Sequence, residues 1–353
     1  MNIDGMTIFT GEQYAKIAMA NAYGLDKENW DVRLNRGEEF FSHMEEGLAY
    51  QDTDPARFKE NRSILTKADE PIMFQKAFNA LMDTKNKRPS GFIMGVDATA
   101  SGLQVLASVT GCEKSALAVN LINTGNREDV YTDMSNSMQE ITGIKYSRGD
   151  LKKPVMTTFY NSQAVPKRLF GDLAPKFYSA LEETLPGCWA AMKIMQQAQN
   201  PQAVDYRWTL PDGHTAYTRV KNVAEARINT ETNKVGAPNW RFTYRQHVFA
   251  ANEFDKSLPA NITHSIDGYI VREMVRRAHA QGFAVLCIHD SFWCSPNYVN
   301  RLRNNYRQIM ADIADSTLFQ DILREVTGSK NVQVNKLSTK LGDKIRQSDY
   351  ALS

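Results

Sequence analysis

Two short apolar runs, far apart in the chain, each lead into an aspartate. The first is Gly91-Phe-Ile-Met-Gly-Val-Asp97, and the second is Phe283-Ala-Val-Leu-Cys-Ile, followed at once by His-Asp290. Both runs are short, and the first is bordered by glycine, so the sequence predicts buried strands. If the two strands are neighbours, Asp97 and Asp290 converge at one edge of a sheet. This requirement constrains the fold more than any other feature.

Helical patterns surround the two strands. Thr10 with Gln13 has the pattern of a capping box and predicts a helix that stops at Gly24. Ser147 with Asp150 offers a second cap, for a helix over residues 148–161. Further helices are predicted at residues 37–48 and 71–82, with a polar loop between them, across much of 127–201, and towards the C-terminus. Alternating polar and aromatic residues around residues 211–213 predict a hairpin, and residues 229–238 are the most loop-like stretch.

The composition is that of an ordinary soluble globular protein. Among 353 residues, 42 Lys and Arg balance 40 Asp and Glu, and 42% are hydrophobic, which excludes a disordered, collagenous or coiled-coil chain. The length suits about two structural units or one interleaved fold. A net charge of +2 gives no general attraction to phosphate, so any nucleic-acid contact must come from local basic clusters.

The four cysteines show no C-x-x-C spacing, so neither a zinc ribbon nor a disulfide framework is predicted. The first residues lack the pattern of a signal peptide, and no stretch approaches the roughly 20 apolar residues of a membrane span. We therefore expect a cytoplasmic protein without membrane association.

Asp97 and Asp290 offer hard oxygen ligands of the kind that Mg²⁺ or Mn²⁺ prefers. Two such ions roughly 3.5–4 Å apart can stabilise both the attacking and the leaving oxygen of a phosphoryl transfer. The alternative is that each aspartate is only a turn residue at a strand end or a helix cap.

The segment from Arg148 to Tyr160 is the second chemical feature. On a helix, Arg148, Lys152 and Tyr160 fall within one stripe, so a guanidinium, an ammonium and a phenol share a side. Arg and Lys at this spacing can hold a polyphosphate, and the aromatic ring can stack on a base or sugar. The alternative is a solvated basic face with Tyr160 packed in the core.

Two common enzyme classes do not fit the sequence. The contiguous His289, Asp290 and Ser291 cannot form a hydrolase relay, because adjacent residues of an extended chain point to opposite faces. The sequence also has neither a G-x-S-x-G elbow nor a G-x-x-x-x-G-K-[ST] phosphate loop.

Three segments, in order, closely resemble the signatures of the single-subunit RNA polymerases of phages and mitochondria. Residues 97–104 resemble motif A, residues 148–160 motif B and residues 288–292 motif C. Weaker resemblances lie at residues 119–121, 129–131, 211–213, 264–268 and 348–353. The resemblance runs from about residue 12 to the end of the sequence.

The resemblance implies a catalytic role for five residues. Asp97 and Asp290 would hold two Mg²⁺ ions, for which Mn²⁺ could substitute, with the main-chain carbonyl of Ala98 as a further metal ligand. Lys152 would act at the triphosphate, and His289 would lie close to the growing end of the transcript. Tyr160 completes this catalytic set.

Nucleotide binding is implied for an overlapping set. Arg148 and Lys152 would bind the triphosphate, and Met156 lies between them and Tyr160 on the same segment. Tyr160 would lie at the sugar and base of the incoming nucleotide, with His264 near the ribose or the minor groove.

Ribonucleotide selection follows from two comparisons with the related DNA polymerases. Those enzymes usually have a Glu that blocks the 2′-hydroxyl where this chain has Gly102, and a Glu where it has Ser291. Two departures from the RNA polymerase pattern stand in motif B. Asn161 replaces the usual Gly but tolerates left-handed backbone, and Pro154 would kink the helix unless the regular helix begins there.

The implied fold is α+β and predominantly helical: a right-hand polymerase palm with a small antiparallel sheet, helical fingers and no thumb. The palm is expected at residues 1–125, with a helical insertion at about 10–87, and at 264–353, which ends in a C-terminal foot. The fingers are expected at 126–263. The upstream region with an Asp-x-x-Gly-Arg motif is not found, so we expect a second polypeptide of a heterodimer to supply it.

The implied function is that of the catalytic subunit of a DNA-dependent RNA polymerase, which uses a DNA template and NTPs to make RNA in the bacterial cytoplasm during phage infection. A single-stranded-DNA-binding accessory protein is a further candidate partner. Two alternatives remain: a metal-dependent nuclease or phosphodiesterase, and a non-enzymatic nucleic-acid-binding remnant of a polymerase.

Overall fold

The computed structural model describes residues 2–230 and 240–353. This part of the chain is predominantly helical with small antiparallel sheets, which confirms the predicted α+β class. Its α-helices are α1 (Gly11–Ala20), α2 (Trp30–Leu48), α3 (Pro55–Lys67), α4 (Pro71–Lys85), α5 (Ser101–Thr110), α6 (Glu113–Ala118), α7 (Val130–Thr142), α8 (Arg148–Phe159), α9 (Ala164–Phe170), α10 (Ala174–Thr184), α11 (Pro186–Gln197), α12 (Leu258–Ala280), α13 (Val299–Asp315), α14 (Leu318–Thr327) and α15 (Leu341–Ile345). Its strands are β1 (Asn2–Ile3), β2 (Met6–Thr7), β3 (Met94–Asp97), β4 (Asp205–Thr209), β5 (Thr215–Arg219), β6 (Lys221–Thr230), β7 (Trp240–Phe249), β8 (Leu286–Ile288) and β9 (Ser291–Cys294).

The central sheet has the strand order β3-β9-β8, and both pairings are antiparallel. The two apolar strands are therefore not neighbours, because β9 lies between them. They converge by another route: β8 and β9 form a tight hairpin whose turn is His289 and Asp290, and His289 has a left-handed φ of 54°. The hairpin returns Asp290 to the end of β3.

One face of this sheet packs on the main core, and helix α5 belongs to that core. All ten residues of α5 are buried. The fully buried Gln104 amide donates to the Val119 and Ala351 carbonyls at 2.9 and 3.0 Å and accepts a 2.6 Å hydrogen bond from Tyr306. Since buried amides are costly unless paired, this network fixes the turn after Asp97.

Helices α1, α2 and α4 share a smaller apolar cluster, which includes Met19, Phe40 and Phe74. The predicted capping box at Thr10 and Gln13 is confirmed, with bonds of 3.2 and 2.9 Å. The α-helix ends at Ala20, whereas the predicted stop was Gly24. A π-helical turn follows over Asn21–Leu25, in which Gly24 has φ 108°.

The polar loop predicted between residues 48 and 71 is wrong, because α3 lies there. Its N-cap is Asp54, whose carboxylate accepts from the Arg57 amide at 3.0 Å, and Pro55 occupies the first turn. No residue of α3 is buried, so its sequence lacks the apolar periodicity by which helices are recognised. Similarly, α2 begins at Trp30, earlier than the apolar pattern indicated.

The helical prediction across residues 127–201 is confirmed by α7 to α11. Helix α8 has the predicted capping box at Ser147 but runs through Pro154 instead of beginning there. Asn161, just beyond it, has the left-handed φ of 65° that its residue type tolerates. None of the described helices is both long and apolar enough to cross a membrane.

The predicted hairpin at residues 211–213 is confirmed by β4 and β5, and Gly213 supplies the positive φ of its turn. A second, longer hairpin joins β6 and β7. Residues 229 and 230, predicted as the start of a loop, lie in β6, and residues 231–238, the rest of that predicted loop, lie outside the described residues.

Candidate active site

Asp97 and Asp290 lie side by side at the end of the central sheet. Asp97 pairs with Ser291 in the strand register, and the Ala98 amide donates to the Asp290 carbonyl at 3.0 Å. On the other side of β3, the Asp97 amide donates to the Ser353 carbonyl at 3.2 Å, and the Ser353 amide donates back at 2.9 Å. The backbone that carries Asp97 is therefore held on both sides.

The environment of Asp97 disfavours its negative charge. Partial removal from water raises the pKa of the Asp97 carboxyl, a hydrogen bond from Ser291 opposes that rise, and the charge of Asp290 adds to it. Two carboxylates that destabilise each other in this way attract a cation, because a cation relieves both the desolvation and the repulsion.

The donor set fits Mg²⁺ or Mn²⁺ in an open site. Among residues 2–230 and 240–353, no group of three or more His, Cys, Asp or Glu side chains could enclose a metal ion. Mg²⁺ commonly uses only one or two carboxylates and completes its shell with water and phosphate oxygens. Asp97, Asp290 and a main-chain carbonyl such as that of Ala98 match this arrangement, whereas a closed structural zinc site does not.

A cavity of about 320 Å³ opens next to Asp97. Arg148 and Lys152 line it from α8, as the stripe on that helix predicted. Lys27 and Arg127 line the same cavity, although no sequence pattern marks either residue. Four acidic residues, Asp26, Asp69, Glu70 and Asp97, line it together with these four basic ones, so the lining is mixed in charge. Arg148 and Lys152 supply groups that can bind a polyanionic ligand, and Asp97 supplies oxygens that can bind a metal beside it.

Arg148 is oriented by its neighbours. Its Nε donates to Asp129 Oδ2 at 2.5 Å, and its guanidinium lies 5.2 Å from the centre of the Tyr131 ring. Burial alone would raise the pKa of Asp129, but the hydrogen bonds from Arg148 and Thr132 outweigh it and hold that pKa below its ordinary value. The Asp129 carboxylate therefore stays charged and holds the guanidinium in place.

Tyr160 does not line this cavity with Arg148 and Lys152, so part of the predicted stripe is wrong. The Tyr160 amide still donates to the Met156 carbonyl at 3.3 Å, so Tyr160 continues the last turn of α8 as its C-cap. At roughly 100° per residue it lies about 120° around the helix from Arg148, away from the part of α8 that lines the cavity. The Tyr160 ring instead stacks on His264, with centroids 4.8 Å apart and planes at 26°.

Gly102 lies directly against Tyr160. A Cβ atom at Gly102 would lie 2.6 Å from the Tyr160 hydroxyl oxygen, so no other residue fits without displacing the phenol. Burial, followed by the charges of Asp267 and Asp290, raises the pKa of Tyr160 to about 12. The phenol is thus a neutral hydrogen-bond donor at neutral pH.

Of the two histidines predicted for the site, His289 affects the pKa of His264. Burial lowers the pKa of His264, and the charge of His289 lowers it further. His264 is therefore mostly neutral near pH 7. His289 lies exposed in the β8–β9 turn next to Asp290.

Asp267 and Met156 complete the surroundings. Asp267 lies on α12 one turn beyond His264 and accepts a 3.2 Å hydrogen bond from the Ser101 hydroxyl. Burial and the charge of Asp290 raise the pKa of Asp267 to about 7. Met156 does not line the cavity; its sulfur accepts a hydrogen bond from the Tyr131 hydroxyl at 3.1 Å. The sequence predicted a nucleotide-binding role for Met156 and none for Asp267.

The β6–β7 hairpin is an exposed two-stranded ribbon with unlike faces. Paired residues of antiparallel strands point to the same side. One side therefore carries Arg227, Arg245 and His247, together with Glu225, which forms a 2.9 Å ion pair with Arg245. Ile228, Phe242 and Tyr244 are exposed on the opposite side, and the apolar Val223 and Phe249 are exposed on the basic side. A basic face backed by aromatic residues is typical of a ribbon that contacts nucleic acid.

Two comparisons with known proteins show which family the chain belongs to. The family model described as DNA-dependent RNA polymerase matches residues 9–170 and 173–351. The chain is also similar to a protein of Pseudomonas phage phiKMV named DNA-directed RNA polymerase, with 24% identity over 350 residues. That alignment covers 84% of this chain and 42% of the phage protein, so the chain spans less than half the length of that relative.

The matched ranges cover nearly the whole chain, as the resemblance predicted. The chain belongs to the DNA-dependent RNA polymerase family.

Proposed function

We propose that this chain carries the catalytic centre of a DNA-directed RNA polymerase and performs template-directed nucleotidyl transfer from NTPs. The proposal is supported by one observation above all: a β-hairpin brings Asp290 beside Asp97 at the mouth of a cavity lined by Arg148 and Lys152. Divalent cations beside basic side chains that bind the triphosphate are what the attack of a 3′-hydroxyl on an α-phosphate requires.

Asp97, Asp290 and the Ala98 carbonyl are assigned to the divalent cations, two Mg²⁺ ions or Mn²⁺ in their place. When bound, such cations supply Lewis-acid stabilisation of the attacking and leaving oxygens. The protein contributes position: the paired backbone on both sides of Asp97 and the tight turn at Asp290 hold the two carboxylates close together.

Arg148 and Lys152 are assigned to the triphosphate, and Lys27 and Arg127 join them because they line the same cavity. Lys152 contributes a point charge, and Arg148 a fork held by Asp129. Together they neutralise a highly charged substrate and direct its α-phosphate towards Asp97.

Tyr160, His264 and Gly102 are assigned to the sugar of the incoming nucleotide. The neutral phenol can donate to a ribose hydroxyl, the His264 ring braces the phenol, and Gly102 leaves the space that a larger residue would fill. His289 projects from the turn that carries Asp290 and is assigned to the end of the transcript. Met156 acts indirectly, through its contact with Tyr131.

We assign the palm to residues 1–125 and 264–353 and the fingers to residues 126–263. The ribbon of β6 and β7 then belongs to the fingers, and its basic face is proposed to contact the DNA template. The contact is electrostatic, so template affinity should fall with rising salt, and less steeply when Arg227 and Arg245 are replaced by Gln.

We further propose that a second polypeptide completes the enzyme, as the sequence resemblance implies. The alignment with only 42% of the phage protein supports this proposal. Purification of the tagged chain from its native expression context should recover that polypeptide in a stable complex, and recovery of the chain alone in an active form would contradict it.

The test of the catalytic assignment uses the chain together with any polypeptide that co-purifies with it. An RNA primer annealed to a DNA template is supplied with Mg²⁺ and labelled NTPs, and primer extension is measured together with primer cleavage. Wild type should extend the primer, and Asp290→Asn should abolish extension while its melting temperature stays close to that of wild type.

Asp172→Asn, which changes an exposed carboxylate in the short 3₁₀ turn that follows α9, is the matched control and should extend normally. Near-normal extension by Asp290→Asn would remove Asp290 from the site. Cleavage without extension in wild type would favour a nuclease, and neither activity would favour a nucleic-acid-binding remnant.

A further inference from the structure

Trp293 lies on the open face of the central sheet, directly against the strand that ends at Asp97. It is paired with Gly95 in the β3–β9 register. A Cβ atom at Gly95 would lie 2.5 Å from the Cε2 atom of the indole. Only glycine therefore lets the ring rest on β3, and Gly95 and Trp293 form a matched pair.

The indole is also the first member of a hydrogen-bond chain that ends at Asp97. Trp293 Nε1 donates to the Ser291 hydroxyl oxygen at 2.8 Å. Ser291 is paired with Asp97 in the β3–β9 register, which puts its side chain directly opposite that of Asp97 on the same side of the sheet. The hydroxyl lies close enough to lower the pKa of the Asp97 carboxyl as a hydrogen-bond donor. An indole N–H can only donate, so it engages a lone pair of Ser291 and leaves the hydroxyl hydrogen to donate to Asp97.

The hydrogen bond from Trp293 matters because a serine hydroxyl rotates freely when nothing constrains it. Without Trp293, the Ser291 hydroxyl could turn away from Asp97 towards water. With the indole in place, one direction of donation is favoured, and the carboxylate has a fixed partner on the sheet side. A metal-binding carboxylate is commonly oriented by outer hydrogen bonds of this kind.

Trp293 also separates two cavities. One is the cavity of mixed charge beside Asp97, and the other is an apolar groove of about 460 Å³ between α4 and the sheet, to which Leu286 and Ile288 contribute. The indole lines both. It therefore shields the Ser291–Asp97 hydrogen bond on the side of the groove, where water would otherwise compete for it.

We propose that Trp293 is a positioning residue for Asp97, which it orients through Ser291 so that the carboxylate is held ready for a divalent cation. This inference rests on the proposed function in so far as it concerns the cation at Asp97. It concerns two residues of this chain, Trp293 and Gly95, that the catalytic assignment above does not use.

The experiment measures cation binding directly, without catalysis. Mn²⁺ is titrated into the purified chain in the presence of any co-purifying polypeptide, and free Mn²⁺ is followed by its electron paramagnetic resonance signal. Trp293→Phe keeps a ring over Gly95 but loses the N–H. Ser291→Ala removes the hydroxyl that lies between the indole and Asp97. Each should weaken Mn²⁺ binding by roughly tenfold, the lower end of what losing an outer hydrogen bond costs.

The double variant provides the decisive comparison. If Trp293 acts through Ser291, Trp293→Phe combined with Ser291→Ala should bind Mn²⁺ no more weakly than Ser291→Ala alone. Gly95→Ala should displace the indole and reproduce the effect of Trp293→Phe. Trp189→Phe is the control for a tryptophan substitution, since Trp189 lies on α11 beside Tyr178, and it should leave Mn²⁺ binding unchanged.

Wild-type Mn²⁺ affinity in Trp293→Phe would overturn the inference and leave the polymerase proposal intact. Fully additive losses in the double variant would also overturn it. If the variants weaken Mn²⁺ binding as expected but wild type does not extend the primer, the proposed function is overturned instead. Failure of wild type to bind Mn²⁺ would overturn both.

Discussion

A Cβ atom on Gly102 would lie 2.6 Å from the hydroxyl oxygen of Tyr160. The two residues come from different elements, α5 and the C-cap of α8, and the absence of a side chain at one fixes the place of the phenol at the other. The stack of Tyr160 on His264 depends on that placement. A single methyl group at position 102 should therefore weaken nucleotide binding at the proposed sugar site.

Gly102→Ala should raise the KM for NTPs because the added methyl displaces the phenol. Adding Tyr160→Phe removes the clashing oxygen, so the double variant should return to the KM of Tyr160→Phe alone. The measurement is steady-state single-nucleotide extension. Additive increases in KM would contradict the contact between the two residues.

Tyr160→Phe should reduce the preference for ribonucleotides over deoxynucleotides, since the neutral phenol is the donor available to a ribose hydroxyl. The ratio of kcat/KM for an NTP and the matching dNTP measures this preference. Tyr178→Phe, a half-buried tyrosine of α10, is the control and should leave the ratio unchanged. An unchanged ratio in Tyr160→Phe would remove it from sugar selection.

Lys152→Gln should raise the KM for NTPs by roughly tenfold or more, because a hydrogen bond to a charged group contributes about 1.5–3 kcal/mol. Lys153→Gln is a closely matched control: the same change one residue along α8, at an exposed lysine that does not line the cavity. Equal effects of the two changes would indicate a general loss of charge and not a triphosphate contact.

Asp267→Asn should change the pH dependence of stability in the absence of divalent cations. The pKa of Asp267 is raised from 3.8 to about 7, so between these values the folded chain holds a proton that the unfolded chain releases. Wild-type stability therefore falls as pH rises through this window. The variant cannot ionise, so its advantage should be absent near pH 4, grow up to about pH 7 and then stay constant. Urea unfolding at several pH values tests this, and a pH-independent difference would contradict it.

Asp349→Asn should destabilise the chain by roughly 3–5 kcal/mol, the cost of leaving a buried charge without its partner. Arg303 is buried and donates to Asp349 Oδ1 at 2.6 Å, and the Thr7 amide donates to the same carboxylate at 2.8 Å. Asp343→Asn breaks an exposed ion pair with Arg346 and should cost less than about 1 kcal/mol. Denaturant unfolding of both variants measures the difference.

The sequence predicted those parts of the fold that local chemistry determines. The caps at Thr10 and Ser147, the turn at Gly213 and the strand that ends at Asp97 each depend on residues close together in the chain, and each is confirmed. Helix α3 escaped prediction because a surface helix without buried residues leaves no periodic signal.

The site was predictable only where residues carry a recognisable pattern. Asp97, Asp290, Arg148 and Lys152 were named from sequence, and the structure brings them to one place. Lys27 and Arg127 reach the same cavity by tertiary packing alone, so no local pattern marks them. The route of Asp290 through a hairpin turn was missed for the same reason, since strand order is a property of the whole chain.

The separate apolar cluster beneath α1, α2 and α4 gives these helices a stability partly of their own. Regions with distinct cores open as distinct units in native-state hydrogen exchange. Lys27 follows directly on the π-helical turn after α1, whereas Asp97 and Asp290 are held by the main core. Opening of these helices would therefore remove one wall of the cavity next to Asp97 while the β8–β9 hairpin stays folded. Under the proposed function, substrate affinity and catalytic geometry would then be lost at different denaturant concentrations.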